Sequence, residues 1–144
     1  MRSPLFSCLC ITEDREAFLP WLIWNFDKQR YPSKELVIVE SSESSWDWPD
    51  DSRIRVVRCP YRSSVAKKRN FALSAARGEY ISWFDDDDWQ HPDKLSWLAQ
   101  MLGHGHAVAG STESWFLDLR TLRCRRYRGG TRVIFNSAGF GRSA

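Results

Sequence analysis

Apolar runs and amphipathic stretches alternate along the first hundred residues. Leu5 to Ile11 is apolar and short, and the polar Thr12-Glu13-Asp14-Arg15 follows it, which predicts a buried strand running into a loop. From Arg15 to Gln29, Phe18, Leu19, Leu22, Ile23 and Phe26 recur at helical spacing, with Thr12 or Asp14 placed to cap the start and Tyr31-Pro32-Ser33 marking the end. Glu35 to Val39 is a β-branched run that reads as a second buried strand, stopping at Glu40-Ser41-Ser42. Glu43 to Ser52 is polar and aperiodic and carries Pro49, so it is expected to be a loop.

Arg53 to Arg58 alternates charged and apolar residues, as a half-exposed third strand would. The segment Ser64 to Ala76 sets Val65, Ala72, Leu73 and Ala76 on one helical face, with Arg77-Gly78 as its stop. Glu79 to Phe84 predicts a fourth strand, and His91-Pro92-Asp93 opens a helix from Lys94 to Leu102, closed by Gly103. Beyond it, Ala107 to Gly110 and Ser114 to Leu119 read as strands, with a turn at Asp118 to Thr121 and a partner strand from Leu122 to Tyr127. The Gly- and Ser-rich stretch from Asn136 onward shows no closing element. This succession predicts an α/β sandwich with a largely parallel sheet.

The length of 144 residues suits one domain, 1–144, with one site. Hydrophobic residues at 42% and charged residues at 27% fit a globular protein rather than a disordered one. No stretch reaches the ~18 apolar residues of a membrane-spanning helix, and the N-terminus lacks the features of a signal peptide. Cys8, Cys10, Cys59 and Cys124 show no C-x-x-C pair or zinc spacing, so a reducing cytoplasm is the expected location. Cys8 and Cys10 would share one face of a strand as small buried residues.

The net charge is only +3, which does not suggest a polycation that coats nucleic acid. Its distribution is uneven. Acids gather at Asp47 to Asp51 and Asp85 to Asp88, whereas Arg120, Arg123, Arg125, Arg126, Arg128 and Arg132 crowd one segment. That segment reads as a solvated or lipid-facing hairpin rather than a base reader, so peripheral membrane contact is one expected interaction. The eight tryptophans serve equally as core or as flat platforms for sugars. Trp83 is assigned to the core; Trp89 is free to stack on a sugar or acceptor, and His91 is read as a helix-start residue.

Four adjacent carboxylates, Asp85-Asp86-Asp87-Asp88, repel one another, and a cation relieves that repulsion. Mg²⁺ and Mn²⁺ take hard oxygen ligands, usually one or two carboxylates plus phosphates and waters. The run follows a buried strand, where ligands of open α/β sheets collect. If the segment is extended, Asp85 and Asp87 converge while Asp86 and Asp88 face elsewhere. A solvated acidic strand end, with Asp88 capping the next helix, is the bland alternative.

The stretch from Arg69-Asn70 through Ala72-Leu73, Ala76, Gly78-Glu79-Tyr80-Ile81 to Asp85–Asp88, then Pro92-Asp93-Lys94-Leu95, resembles the central signature of family 2 glycosyltransferases with the GT-A fold. The similarity runs from the first strand to Pro92. It implies a Rossmann-like GT-A sandwich with a mainly parallel central sheet flanked by helices. It further implies that Asp85 is the first acid of a D-x-D element near the ribose or sugar, and that Asp87, with Asp85, holds Mn²⁺ or Mg²⁺, Asp86 being a neighbour at the donor.

By the same resemblance, Thr12, Glu13 and Arg15 cradle the nucleotide, and Glu40 stands where an aspartate usually meets the base. Lys68 and Arg69, with Lys67 and Asn70 beside them, begin a helix that can approach the pyrophosphate. The implied reaction is inverting, metal-dependent transfer from a nucleoside diphosphate sugar, a UDP-sugar before others, to an acceptor hydroxyl of a glycan, lipid or protein. The catalytic residue is unknown, because the family's base lies beyond the matching stretch, and the chain is expected to be truncated relative to the family. Two rival readings are a nucleotide-sugar-binding module or pseudoenzyme without a base, and a metal-dependent nucleotidyltransferase or nucleic-acid-directed protein. A nucleic-acid partner is the least expected of these.

Overall fold

The computed structural model describes residues 2–44, 46–130, 132, 134 and 138–142. Strands β1 (Phe6–Thr12), β2 (Lys34–Glu40), β3 (Ile54–Arg58) and β4 (Tyr80–Trp83) are joined by helices α1 (Leu19–Lys28), α2 (Val65–Ala75) and α3 (Lys94–Gly103). Strands β5 (Val108–Ala109), β6 (Glu113–Asp118), β7 (Arg123–Arg128) and β8 (Gly139–Gly141) follow. The main sheet has the order β3-β2-β1-β4-β8-β5, and β6 and β7 form a separate two-stranded sheet. Strands β1 to β4 are parallel, whereas β8 runs antiparallel to both β4 and β5. The expected α/β sandwich with a mainly parallel sheet flanked by helices is the observed fold.

Side-chain alternation sorts the core into two layers. Phe6, Cys8, Cys10, Leu36 and Ile38 point to one face and meet Leu19, Leu22 and Phe26 of α1 and Leu95, Leu98 and Leu102 of α3. Leu9, Val37, Val39, Ile81 and Trp83 point to the other, beneath Ala72 of α2 and Ala76 just past its end. Cys8 and Cys10 are thus buried on one face, and Trp83 is core, as the pattern indicated. Strands β1 and β2 are buried along almost their whole length, which explains why they read as continuous apolar runs.

Several local expectations need correction. The first helix opens with a 3-10 turn, Glu16–Phe18, and no side chain caps it: Thr12 is committed to β1, and Asp14 turns the chain at φ 50°. Val65 is exposed rather than packed with Ala72 and Ala76. Ser64 caps α2, its Oγ accepting from Lys67 N. Helix α2 already ends before Gly78, with Ala76 extended as its cap residue. Gly78 is needed for a different reason: a Cβ there would lie 2.6 Å from Leu5 O and 2.6 Å from Ser7 N, so the chain entering β4 runs against β1 with no room for a side chain.

Contrary to the sequence expectation, the Gly-rich tail does supply a closing element. Gly139–Gly141 inserts between β4 and β5, and the absence of a side chain at Gly139 suits the close approach of Leu98, 2.9 Å from where a Cβ of Gly139 would sit. Among the described residues, no helix is long and apolar enough to cross a membrane.

Candidate functional site

The strand order reverses beside β1. The chain steps outward from β1 to β2 to β3, then returns to lay β4 on the other side of β1. A crevice therefore opens beyond the carboxyl ends of β1 and β4, the place where open α/β sheets bind ligands. The end of β1 supplies Thr12, the end of β2 supplies Glu40 in register with it, and β4 leads into the four aspartates.

Asp85 to Asp88 do not continue the strand. The chain turns there, with Asp88 N donating to Asp85 O at 3.3 Å. Alternation fails in a turn, so the pairing is not the one expected from an extended segment. Asp86 is buried and reaches back across the crevice, its Oδ2 accepting from Thr12 Oγ1 at 2.8 Å. Arg15 joins it to Asp87: one terminal guanidinium nitrogen lies 3.1 Å from Asp86 Oδ1 and 2.7 Å from Asp87 Oδ2. Asp86 and Asp87 thus share the cation, while Asp87 stays half-exposed and open to a ligand.

Asp85 stands apart from this cluster. Burial first, then the charges of Asp88 and Asp87, push its carboxyl above the usual range, with Arg69 opposing them. Asp86 is also raised, chiefly by burial, against the Thr12 hydrogen bond and the Arg15 charge. Burial works against the charge on Arg15, but its bond to Asp87 and the two carboxylate charges outweigh it and raise its pKa. Asp88 is held through its backbone carbonyl, which accepts from Trp21 Nε1 at 3.1 Å and Asn25 Nδ2 at 3.2 Å.

A second cluster sits at the ends of β1 and β2. Lys68 is buried and donates to Glu13 Oε2 at 3.1 Å and Ser41 Oγ at 3.2 Å, and Ser41 also bonds Glu13. Glu13 is held below the usual carboxylate range by Ser41 and then Lys68. Lys68 is therefore fixed against the ends of β1 and β2, whereas Lys67 is an exposed helix residue. Arg69 lies with its guanidinium 5.2 Å from the centre of the Trp83 ring. Asn70 is exposed on α2.

Glu40 is only 1% exposed and is turned onto Arg58, whose guanidinium also donates to Ser42 O and Ser44 O at 3.3 Å. Its Oε1 is buried without a hydrogen-bond partner among the described residues. Trp89 is exposed and meets His91 edge-on, and His91 stacks on Trp97 at 4.4 Å. His91 Nδ1 accepts from Asp93 N at 3.1 Å, a helix-start role.

Sequence reasoning missed the groups that hold the acidic turn in place. Asn25 is buried in α1, and its amide bridges Asp88 O and Gln90 N. Lys94, buried at the start of α3, donates to Trp83 O at 3.0 Å and Gln90 Oε1 at 2.8 Å. A polar Asn on the inner face of an apolar helix was the available signal for the first. Ser41 and Ser42, read only as a strand stop, hold Glu13 and the Asp14 amide, the latter at 2.8 Å.

Among the described residues no three His, Cys, Asp or Glu side chains converge on one point. The donor set still fits Mg²⁺ or Mn²⁺, which need one or two carboxylates when phosphate and water complete the shell. A half-exposed Asp87 and a partly buried Asp85 strained by neighbouring negative charge are suited to that arrangement.

The sequence model of Glycosyl transferase family 2 matches residues 7–141. The chain belongs to this family. Similar proteins include the UDP-Glc:α-D-GlcNAc-diphosphoundecaprenol β-1,3-glucosyltransferase WfaP of Escherichia coli, 36% identical over 73 residues, which cover 47% of this chain and 29% of that one. The S. aureus TarS 1–349 structure in complex with UDP superposes with a TM-score of 0.59 at 25% identity, over 72% of this chain and 34% of TarS. The mannosyltransferase PcManGT of Pyrobaculum calidifontis, in complex with GDP-Man and Mn²⁺, gives 0.70 at 20% identity over 99% of this chain and 46% of that one, a likeness of fold. This family 2 chain spans about a third to a half of the length of the curated relatives it matches.

Proposed function

We propose that this domain, 1–144, binds a nucleoside diphosphate sugar at the β1/β4 crevice and serves metal-dependent, inverting transfer of the sugar to an acceptor hydroxyl. The observation that carries the reading is the cluster of Thr12, Arg15, Asp86 and Asp87 tying together the two strand ends where the sheet reverses. A UDP-sugar is the favoured donor, because WfaP is named for UDP-Glc and the TarS structure holds UDP.

In this reading Asp87, with Asp85, holds Mn²⁺ or Mg²⁺, which when bound stabilises the negative charge that develops on the departing diphosphate. Arg15 supplies a fixed cation at the same crevice, already oriented by Asp86 and Asp87. Lys68, fixed by Glu13 and Ser41, shapes the wall on the β2 side, and Arg69 adds positive charge near Asp85. The buried Oε1 of Glu40 is an acceptor that a base N–H would satisfy once the 41–44 loop shifts. During transfer the bond from anomeric carbon to diphosphate oxygen breaks and a bond to the acceptor oxygen forms on the opposite face. The acceptor proton passes to a base that is not assigned to any residue here.

Calorimetric titration of UDP and GDP, with and without Mn²⁺, on the native chain and on Asp87→Asn tests the assignment. Metal-dependent binding of UDP that the substitution weakens at least about tenfold is expected, the loss of one charge-assisted metal contact. Equal binding by both proteins would refute it.

A further inference from the structure

The hairpin of β6 and β7 stands outside the main sheet, and every residue of β7 is exposed, as are Trp115 to Asp118 of β6. Its tip is built to project apolar groups. Asp118 Oδ1 accepts from Arg120 N at 2.9 Å and Thr121 N at 3.1 Å, and Asp118 O accepts from Leu122 N at 2.7 Å. This fastened turn holds Leu122 at φ 53° and leaves Leu119 and Leu122 78% and 75% exposed. Trp115, Phe116, Leu117 and Tyr127 along the hairpin are more than half exposed as well.

Around these apolar groups stand Arg120, Arg123, Arg125, Arg126 and Arg128, against only Glu113 and Asp118. Glu113 meets Arg128 at 2.9 Å and Arg126 at 3.8 Å, near the root of the hairpin, whereas Arg120 and Arg123 flank the leucine tip.

We propose that the β6–β7 hairpin docks this protein on an anionic lipid surface, with Leu119 and Leu122 entering the headgroup and acyl boundary and the arginines pairing with lipid phosphates. Exposed leucines in water are unfavourable, and amphipathic elements rich in arginine and aromatic residues partition to such interfaces. Anionic leaflets attract each nearby Arg by an amount equal to roughly fivefold in partitioning. A nucleic acid would satisfy the arginines but leave both leucines in water. The hairpin root also borders a cavity of about 600 Å³, lined by Trp115 and Phe116 on one side and by Asp88, Trp89 and Trp97 on the other. An acceptor anchored in that surface would therefore meet the protein beside the acidic turn; this last step rests on the proposed function, whereas the docking does not.

Cys124 lies on β7 and is exposed, while Cys8, Cys10 and Cys59 are buried, so a polarity-sensitive fluorophore can be placed on the hairpin alone. The labelled chain is mixed with vesicles of phosphatidylcholine, or of phosphatidylcholine with phosphatidylglycerol, and its sedimentation is measured in parallel. Binding to the anionic vesicles with a blue shift, falling as salt rises, is expected. The Leu119→Asp, Leu122→Asp double variant should lose at least about tenfold in partitioning, and Arg123→Glu with Arg125→Glu should lose more than that, each with an unchanged melting temperature. No partitioning, equal partitioning to neutral vesicles, or undiminished binding by the leucine variant overturns the proposal. So does binding to a single-stranded oligonucleotide in preference to vesicles. UDP titration of the same samples reports the donor site separately, so failure of either reading leaves the other standing.

Discussion

Replacing Gly78 by alanine tests whether the contact between the entry of β4 and β1 sets the frame of the site. The added Cβ would sit 2.6 Å from Leu5 O and Ser7 N and 2.8 Å from Ser7 Oγ. Two of these are backbone atoms at the start of β1 and just before it, and they cannot swing away as a side chain could. Relief requires the 77–79 segment to move off β1, and this breaks the 2.8 Å bond from Gly78 N to Ser7 Oγ. Ser7 in turn donates to the buried Glu35, which also accepts from Arg77 N, so the whole node loosens. Overpacking costs about 1–3 kcal/mol and a lost buried hydrogen bond about 1–3 kcal/mol, giving about 2–6 kcal/mol together. For a chain of this size that is a fall in Tm of roughly 7–20 °C. Thermal unfolding followed by circular dichroism is the assay, with Gly103→Ala as the control. Nothing lies within 4 Å of a Cβ at Gly103, so that change should be neutral or stabilise by up to about 1 kcal/mol. A Gly78→Ala protein that melts within 2 °C of the native chain would show that β1 and β4 are not held as tightly as described.

Other consequences concern the site itself. Thr12→Val removes the donor to the buried Asp86 carboxylate and should cost about 1.5–3 kcal/mol in urea unfolding, while Thr12→Ser, which keeps the hydroxyl, should lose much less; equal losses would deny the bond any role. Burial pulls the Lys94 amine from 10.5 down to about 8. The unfolded chain therefore binds the extra proton between about pH 8 and 10.5, so this group's penalty is full below pH 8 and fades as pH rises through that window. The buried Cys8 and Cys10 thiols, raised by burial, act in the opposite direction. The test is accordingly the difference between native and Lys94→Met unfolding free energies, which should move by about 3 kcal/mol in favour of the native chain from pH 7.5 to 10.5; parallel profiles would refute the buried charge.

What could be read from the chain depended on the range of the interaction. Strands β1 and β2 are flanked by strands and covered on both faces, so their apolar runs were visible without any partner being known. The tail 139–141 was not visible, because a three-residue strand of Gly-Phe-Gly carries no pattern of its own and exists only through pairing with Ile81 and Val108, far away in the chain. Gly78 shows how a correct landmark can carry the wrong reason: it follows a helix, yet its conformation is not the left-handed one of a helix stop, and what excludes a side chain is the approach of β1. At the candidate site, the location of Thr12, Glu13, Arg15, Glu40 and the acids at the strand ends followed from the pattern. Their contacts did not, because alternation holds only in extended backbone, and residues 85–88 turn.

That turn changes how the four acids divide their work. Asp86, buried and tied to Thr12, fixes the loop across the crevice. Asp88 is fastened by its carbonyl to α1 through Trp21 and Asn25, and its neighbour Gln90 is held by Asn25 and Lys94. The far end of the run is thus clamped to α1, the residue two beyond it to both α1 and α3, and the middle to β1 through Asp86 and Thr12. The loop can then hold adjacent carboxylates despite their repulsion, since Arg15 offsets the charge shared by Asp86 and Asp87. A ligand that draws Arg15 toward its own phosphates would withdraw that compensation and leave Asp87 in need of another cation. Metal binding and donor binding should therefore reinforce each other, each raising the affinity for the other by the same factor. UDP titrations at several Mn²⁺ concentrations measure that factor directly, and a UDP affinity indifferent to Mn²⁺ would break the link.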